Sequence, residues 1–182
     1  MHLHNFHYSA IFVVVMDVDF QKRKLPRLSG YDYSTPGVYF ITICTYNKNC
    51  IFGRIIHGEN DPTVQYSPIG EIAKTCLLEI EHHYSNVKID NWVIMPNHLH
   101  ILVQITEQLN STPLKYDIPN IVGKYKAAVT RSVGNSFAYS EKIWQSSYHD
   151  HVIRNDQDYQ KIWEYISGNP SKWLDDCFYC EE

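Results

Sequence analysis

Apolar and polar positions recur with two different periods along this chain, and the switches between them mark its elements. After Ser34, Pro36 and Gly37, the run VYFITICTY (38–46) is rich in β-branched and aromatic side chains and predicts a core strand. Ser67 and Pro68 supply a helix N-cap and a first-turn proline. Ile69, Ile72, Ala73, Cys76, Leu77, Ile80 and Tyr84 then follow at helical spacing and predict one amphipathic helix. VKIDNWVIM (87–95) and HLHILVQI (98–105) predict two neighbouring strands joined by a tight turn at Pro96-Asn97. Residues 106–117 read as a loop. A second helical stripe of Ile118, Ile121, Val122, Tyr125, Val129 and Val133 runs up to Gly134, with lysines on its polar side. Residues 143–153 are expected to be extended. Asn155 then caps a last helix, which Asp158 suits through the positive end of the dipole and which Gly168 and Pro170 end. The core stripe expected for that helix is Tyr159, Ile162, Trp163 and Ile166. The order strand, helix, strand, strand, helix, strand, helix predicts an α+β sandwich with a mainly antiparallel sheet and helices packed on it.

Composition narrows this to one globular domain: 182 residues, 44% hydrophobic and 14% aromatic, are enough for a substantial core. With a net charge of -4, composition gives no sign of a wholesale electrostatic grip on nucleic acid, so any basic surface must be local. Two clusters qualify, Lys22, Arg23, Lys24 and Arg27, then Lys115, Lys124, Lys126 and Arg131, either of which is also consistent with an ordinary solvated face. The acidic excess falls after residue 140. Five cysteines form an odd set without framework spacing, which fits reduced thiols, and the lone pair Cys177 and Cys180 has no second pair to complete a zinc site. The apolar run Ala10 to Met16 is far shorter than the roughly 20 residues a bilayer requires. Met1 to Ser9 has no Lys or Arg to start a signal peptide. A cytoplasmic protein without a membrane span is the expectation.

The candidate chemistry begins at Asn97-His98-Leu99-His100-Ile101. The two-residue period of a strand sends both histidines to one face and Leu99, Ile101 and Val103 to the other. Imidazoles with Cβ atoms roughly 7 Å apart are placed to bind one divalent ion. Two partly buried histidines bonded to neighbours fit the spacing equally well. Tyr165 on the last helix falls off the expected core stripe, on the side of Lys161 and Asn169. It reads either as a surface tyrosine or as a nucleophile beside an amide oxygen for a metal and a lysine for a phosphate. A competing pair, His149 and His151, brackets Asp150, a poor residue to bury, so these histidines are not expected on a strand backed by core. His151 and Arg154 read as phosphate or structural contacts.

Four segments, RLSGYDYSTPGVYFITICT (27–45), NWVIMPNHLHILV (91–103), IWQSSYHDHVIRN (143–155) and YQKIWEYISGNPSKW (159–173), together resemble the single-tyrosine HUH transposases, in particular the REP-associated tyrosine transposases. The resemblance runs from Arg27 to Trp173. It divides the chain into an N-terminal extension (1–26), the transposase domain (27–174) and an acidic C-terminal tail (175–182). It implies a ferredoxin-like (RRM-like) sandwich, the metal pair His98 and His100 on a central strand, the catalytic Tyr165 on a helix, and Asn169 completing the metal site. The implied activity is cleavage and rejoining of single-stranded DNA in transposition, through a 5′-phosphotyrosine, with Mg²⁺ or Mn²⁺. The expected partner is single-stranded DNA with hairpin structure, held by a monomer or a homodimer, and Lys124, Lys126, Arg131, Arg154 and Lys161 are the expected DNA contacts. Two rival readings of the same residues are a non-catalytic single-stranded nucleic-acid-binding module and a two-histidine metal phosphoesterase that activates water.

Overall fold

The structure is a computed structural model, which describes residues 30–58, 61–107 and 116–179. The Lys22 to Arg27 cluster, Lys115, Cys180 and the 1–26 extension lie outside the described residues. Four strands, β1 (Gly37–Cys44), β4 (Val87–Ile94), β5 (His98–Ile105) and β6 (His149–Ile153), form one antiparallel sheet in the order β4-β5-β1-β6. A separate hairpin, β2 (Gly53–Ile56) and β3 (Thr63–Tyr66), precedes helix α1 (Pro68–Leu78) and the short α2 (Ile80–His83). Helices α3 (Ile118–Phe137) and α4 (Asp156–Gly168) flank β6, and a 3-10 segment, Pro170–Asp175, follows α4. With the hairpin set aside, the chain runs βαββαβ with its first and third strands central, the ferredoxin-like arrangement expected from the sequence.

The alternation of β1 and β5 builds two cores. Tyr39, Ile41, Ile43, Leu99, Ile101 and Val103 point toward α1 and α3, where Ala73, Leu77, Ile121, Tyr125 and Val129 meet them. Phe40 and Leu102 point the other way, toward Ile162 and Ile166 of α4 and Trp173. His98 and His100 share this second face, so α4 and the segment after it roof the histidines.

The caps are where the sequence places them. Ser67 Oγ accepts from Gly70 N at 3.0 Å with Pro68 in the first turn, and Asn155 Oδ1 accepts from Asp158 N at 2.9 Å. Four expectations need correction. The helix from Ser67 toward Tyr84 is broken at Glu79 into α1 and α2. Only His149–Ile153 of the 143–153 stretch is a strand, and Trp144 makes an isolated bridge to Thr45. That strand carries Asp150 inward at 2% exposure, because Tyr33 Oη donates to its Oδ2 at 2.5 Å and so satisfies a carboxylate that would otherwise be costly to bury. The sheet-facing side of α4 comprises Ile162, Tyr165, Ile166 and Asn169, while Trp163 turns outward to 37% exposure. At about 100° per residue, Tyr165 and Trp163 flank the Ile162–Ile166 line on opposite sides, and the sheet takes the tyrosine side.

Candidate active site

His98 and His100 are fully buried, and their Nε2 atoms lie 3.1 Å apart. Their orientation follows from the amide before them. Asn97 Nδ2 donates to the carbonyls of Lys48 at 3.1 Å and Phe178 at 2.7 Å, so its Oδ1 must be the atom 2.8 Å from His98 Nδ1. An amide oxygen only accepts, hence His98 carries its proton on Nδ1 and its Nε2 presents a lone pair to the site. His100 Nδ1 lies 2.8 Å from Thr42 Oγ1, its partner in the β1–β5 register. A hydroxyl donates or accepts: when Thr42 donates to Nδ1, His100 Nε2–H can donate to His98 Nε2, and when Thr42 accepts from Nδ1–H, both Nε2 lone pairs can turn to one ion.

Burial keeps both rings neutral, the form that ligates. Burial holds His98 well below the ordinary histidine range, helped by the neighbouring His100 and Lys48, and holds His100 down to about 3. Cys44, paired with His98 across the strands, is not in the group of converging ligand atoms formed by His98, His100 and Asp176, and burial pushes its thiol up to about 12.

Tyr165 is half-buried, and its Oη sits 3.3 Å from His100 Nε2. Phe40 fixes the geometry by stacking on His100 (centroids 5.2 Å apart) and meeting Tyr165 edge-on at 6.1 Å. The phenol thus faces the histidine pair from the roof.

A carboxylate missed by the sequence reading completes the cluster. Asp176 lies in the stretch assigned to an acidic tail, yet its Oδ2 comes within 4.0 Å of His98 Nε2, and ligand atoms of His98, His100 and Asp176 all lie within 4.8 Å of one another. Burial raises the Asp176 carboxyl, while the Phe178 N–H, 2.7 Å from Oδ1, and the side chains of Asn169, Cys177 and Lys48 pull it back. Asn169, 2% exposed, reaches the cluster through that hydrogen bond with Asp176, and its own Oδ1 is buried without a protein partner among the described residues. Two imidazole lone pairs, a carboxylate and an orphaned amide oxygen fit a divalent cation. The aromatic residues of Asp175-Asp176-Cys177-Phe178-Tyr179 were the available signal, since Phe and Tyr in an acidic end point to docking; Phe178 packs on His98 with centroids 4.6 Å apart.

The expected DNA contacts are dispersed. Lys124 lies over the rings of Tyr84 and Tyr116, 5.6 and 5.8 Å from their centroids, and Arg131 acts on Cys76 of α1, so both belong to the helical layer behind the sheet. Lys126 turns away from them and donates to the Gln145 carbonyl at 2.6 Å. Arg154 and Lys161 are exposed at the end of β6 and on α4. His151 Nε2 pairs with Asp158 Oδ2 at 2.8 Å, on the opposite side of the sheet edge from Asp150.

Residues 40–169 match the family model described as "Transposase IS200 like". A protein of Haemophilus influenzae (strain ATCC 51907 / DSM 11121 / KW20 / Rd), described only as uncharacterized, is 36% identical over 174 residues, 87% of this chain and 94% of that protein. Another from the same organism, described as a REP-associated tyrosine transposase, is 27% identical over 157 residues, 80% of this chain and 77% of that one. The solved structure of a REP-associated tyrosine transposase bound to a REP hairpin is similar in fold, with a TM-score of 0.57 at 20% identity over 80% of this chain and 74% of that chain. The family match takes in His98, His100, Tyr165 and Asn169 and stops short of Asp176. With most of its length inside that match, the chain belongs to the IS200-like, single-tyrosine transposase family.

Proposed function

We propose that this protein cleaves and rejoins single-stranded DNA with Tyr165 as the nucleophile and with a divalent ion held by His98, His100, Asn169 and Asp176. The observation that carries the reading is the approach of Tyr165 Oη to within 3.3 Å of His100 Nε2, beside a second Nε2 at 3.1 Å. When bound there, the ion supplies Lewis-acid polarisation of the scissile phosphate. Imidazole is a soft partner for Mg²⁺, which favours Mn²⁺ in this set. Tyr165 Oη forms a bond to phosphorus as the bond from phosphorus to O3′ breaks, and the phenolic proton ends on the 3′-oxygen, so neither electrons nor protons are left over. Phe40 and His100 hold the ring in place, with both histidines buried beneath α4. Because the phosphotyrosine conserves the bond, a second 3′-OH reverses the step and joins strands without a nucleotide cofactor. A hairpin-bearing single strand is the proposed substrate, in line with the family and with the fold neighbour bound to a REP hairpin.

The test uses a hairpin oligonucleotide with single-stranded flanks of randomised sequence, labelled at one end, with Mn²⁺. A 3′-label should remain on the protein through denaturation, and a 5′-label should be released on a fragment ending in a 3′-OH. Tyr165→Phe should abolish the adduct. Cleavage with no adduct would identify a water-activating phosphoesterase, and retention of DNA without cleavage a binding module.

A further inference from the structure

The lysines that the sequence groups together are separated in the fold, and a different group converges beside the candidate active site. Where β1 ends, the chain runs alongside residues 143–145: Tyr46 N donates to the Ile143 carbonyl at 2.8 Å, and Gln145 N to the Cys44 carbonyl at 3.0 Å. This brings Lys142 over the ring of Tyr46, 4.5 Å from its centroid, with Tyr46 itself 39% exposed. Lys126 reaches the same place from α3, donating to the Gln145 and Ser146 carbonyls. Lys142 is near enough to bear on the Lys126 ammonium as a like charge. Lys48 completes the row on the side of the histidines: its Nζ donates to the Cys177 carbonyl at 3.1 Å, and its backbone carbonyl holds the Asn97 amide that orients His98. One cation, Lys142, therefore lies on an exposed aromatic ring, and two more from separate segments, Lys126 beside residues 145–146 and Lys48 two residues after Tyr46, border the same stretch in a chain of net charge -4. The nearest acidic side chain in sequence, Glu141, is turned toward Tyr139, 3.4 Å from its hydroxyl. The exposed side of α4 is less hospitable to phosphate, since it carries Asp156 and Glu164.

We propose that Tyr46, Lys48, Lys126 and Lys142 form a tract for the single-stranded DNA that flanks the scissile phosphate, with one unpaired base on the Tyr46 ring and successive phosphates on the lysines. The identity of the ligand rests on the proposed function; the location of the tract rests on the convergence described above. An aromatic face bordered by ammonium groups is the chemistry that binds a single strand without reading its sequence. Lys48 bears on both His98 and Asp176, so a strand laid along the tract runs toward the candidate metal site. Lys124 and Arg131 take no part.

The measurement is affinity of the full chain for a fluorescent single-stranded oligonucleotide in EDTA, across a salt series, so that binding is read without chemistry. Replacing Lys48 and Lys142 together by Gln should flatten the plot of log affinity against log salt by about 1.4, at ~0.7 per phosphate contact. Lys142→Gln alone, at an exposed position, should remove about half of that and serves if the pair of changes disturbs folding. Tyr46→Ala should weaken binding roughly 5- to 150-fold with the slope unchanged. The pair Lys124→Gln and Arg131→Gln should leave slope and affinity as they are. An unaltered slope in the Lys48 and Lys142 variants, or an equal loss in the Lys124 and Arg131 pair, overturns the tract. If that happens while the Tyr165-dependent adduct forms, the proposed function stands and the tract alone fails. If the slopes behave as expected but no adduct forms, the tract stands and the nuclease reading fails. A wild-type chain that does not retain the oligonucleotide at all refutes both.

Discussion

Tyr165 Oη and His100 Nε2 are 3.3 Å apart although 65 residues separate them in the chain. Neither element alone determines this contact. β5 presents His100 because strand alternation puts it on the face opposite Leu99 and Ile101, and α4 presents Tyr165 because the sheet buries the side of the helix that also carries Ile162 and Ile166. Phe40 touches both rings and sets their distance.

Tyr165→Phe should therefore be a clean deletion of chemistry. The ring and its packing against Phe40 survive, and the hydrogen bond lost to His100 is a long one, worth about 0.5–1.5 kcal/mol. Covalent capture of DNA should vanish, while thermal stability and Mn²⁺ affinity stay close to wild type. A persistent adduct would transfer the role to another tyrosine, and mass spectrometry of the labelled peptide would show which.

His98→Ala and His100→Ala should each weaken Mn²⁺ binding by orders of magnitude in calorimetry and abolish cleavage. Unlike Tyr165→Phe they should also cost stability, because both rings are fully buried and fill the space between the sheet and its roof. His100→Ala strands the Thr42 hydroxyl and removes a stacking partner of Phe40, for an expected loss of about 2–4 kcal/mol in urea denaturation. Normal metal binding in both variants would place the ion elsewhere.

Asp176→Asn tests whether the carboxylate ligates the ion or merely lies near it. As a ligand it should be worth at least about tenfold in Mn²⁺ affinity, of the order found when partners of metal ligands are removed. The amide keeps the shape of the side chain and can still accept from Phe178 N, so the fold should hold. Unchanged affinity would leave the two histidines and Asn169 as the ligand set.

Much of this site was legible in the chain because it depends on short periods. A two-residue repeat places His98 and His100 on one face, Ser67 and Asn155 announce their helices, and Pro96-Asn97 marks the turn between β4 and β5. What was not legible depends on tertiary choice. Tyr159, Ile162, Trp163 and Ile166 make the more hydrophobic stripe of α4, yet the sheet accepts Tyr165 and Asn169 instead of Trp163, since a polar pocket lined by histidines lies under that side. Asp150 looks unburiable until Tyr33, 117 residues away, is placed on it. Asp176 enters the site only because the 3-10 segment after Pro170 folds the chain back, and no local period encodes that return.

The Tyr33–Asp150 pair is the second long-range polar contact that should show its worth. Tyr33→Phe leaves a buried carboxylate without its 2.5 Å donor and should destabilise by about 1.5–3 kcal/mol. Asp150→Asn should cost less, because an amide still accepts from the phenol. The pair lies on the sheet face away from the histidines, so neither change should alter Mn²⁺ affinity. A metal defect in Tyr33→Phe would show that the two faces of the sheet are coupled.

Glycine positions give a test in which one chemical change has opposite signs. A Cβ on Gly70, in the first turn of α1, would stand 1.9 Å from the Phe52 carbonyl oxygen, a backbone atom that cannot rotate away. Phe52 is itself fixed, because its N–H donates to the Pro96 carbonyl at 3.0 Å, immediately before the Asn97 that orients His98. Gly70→Ala must push α1 or the chain at Phe52 aside, at about 3 kcal/mol or more, and the displacement is directed at the turn that carries the first histidine. Gly123 sits inside α3, exposed, with open space where its Cβ would be. Gly123→Ala should stabilise by about 0.5–1 kcal/mol through the reduced freedom of the unfolded chain and leave the site untouched. Melting temperature and Mn²⁺ affinity measured on both variants separate the effects: Gly70→Ala should lower both, and Gly123→Ala should raise the first alone. If Gly70→Ala loses stability yet binds metal normally, the path from Phe52 through Pro96 to His98 does not position the histidine.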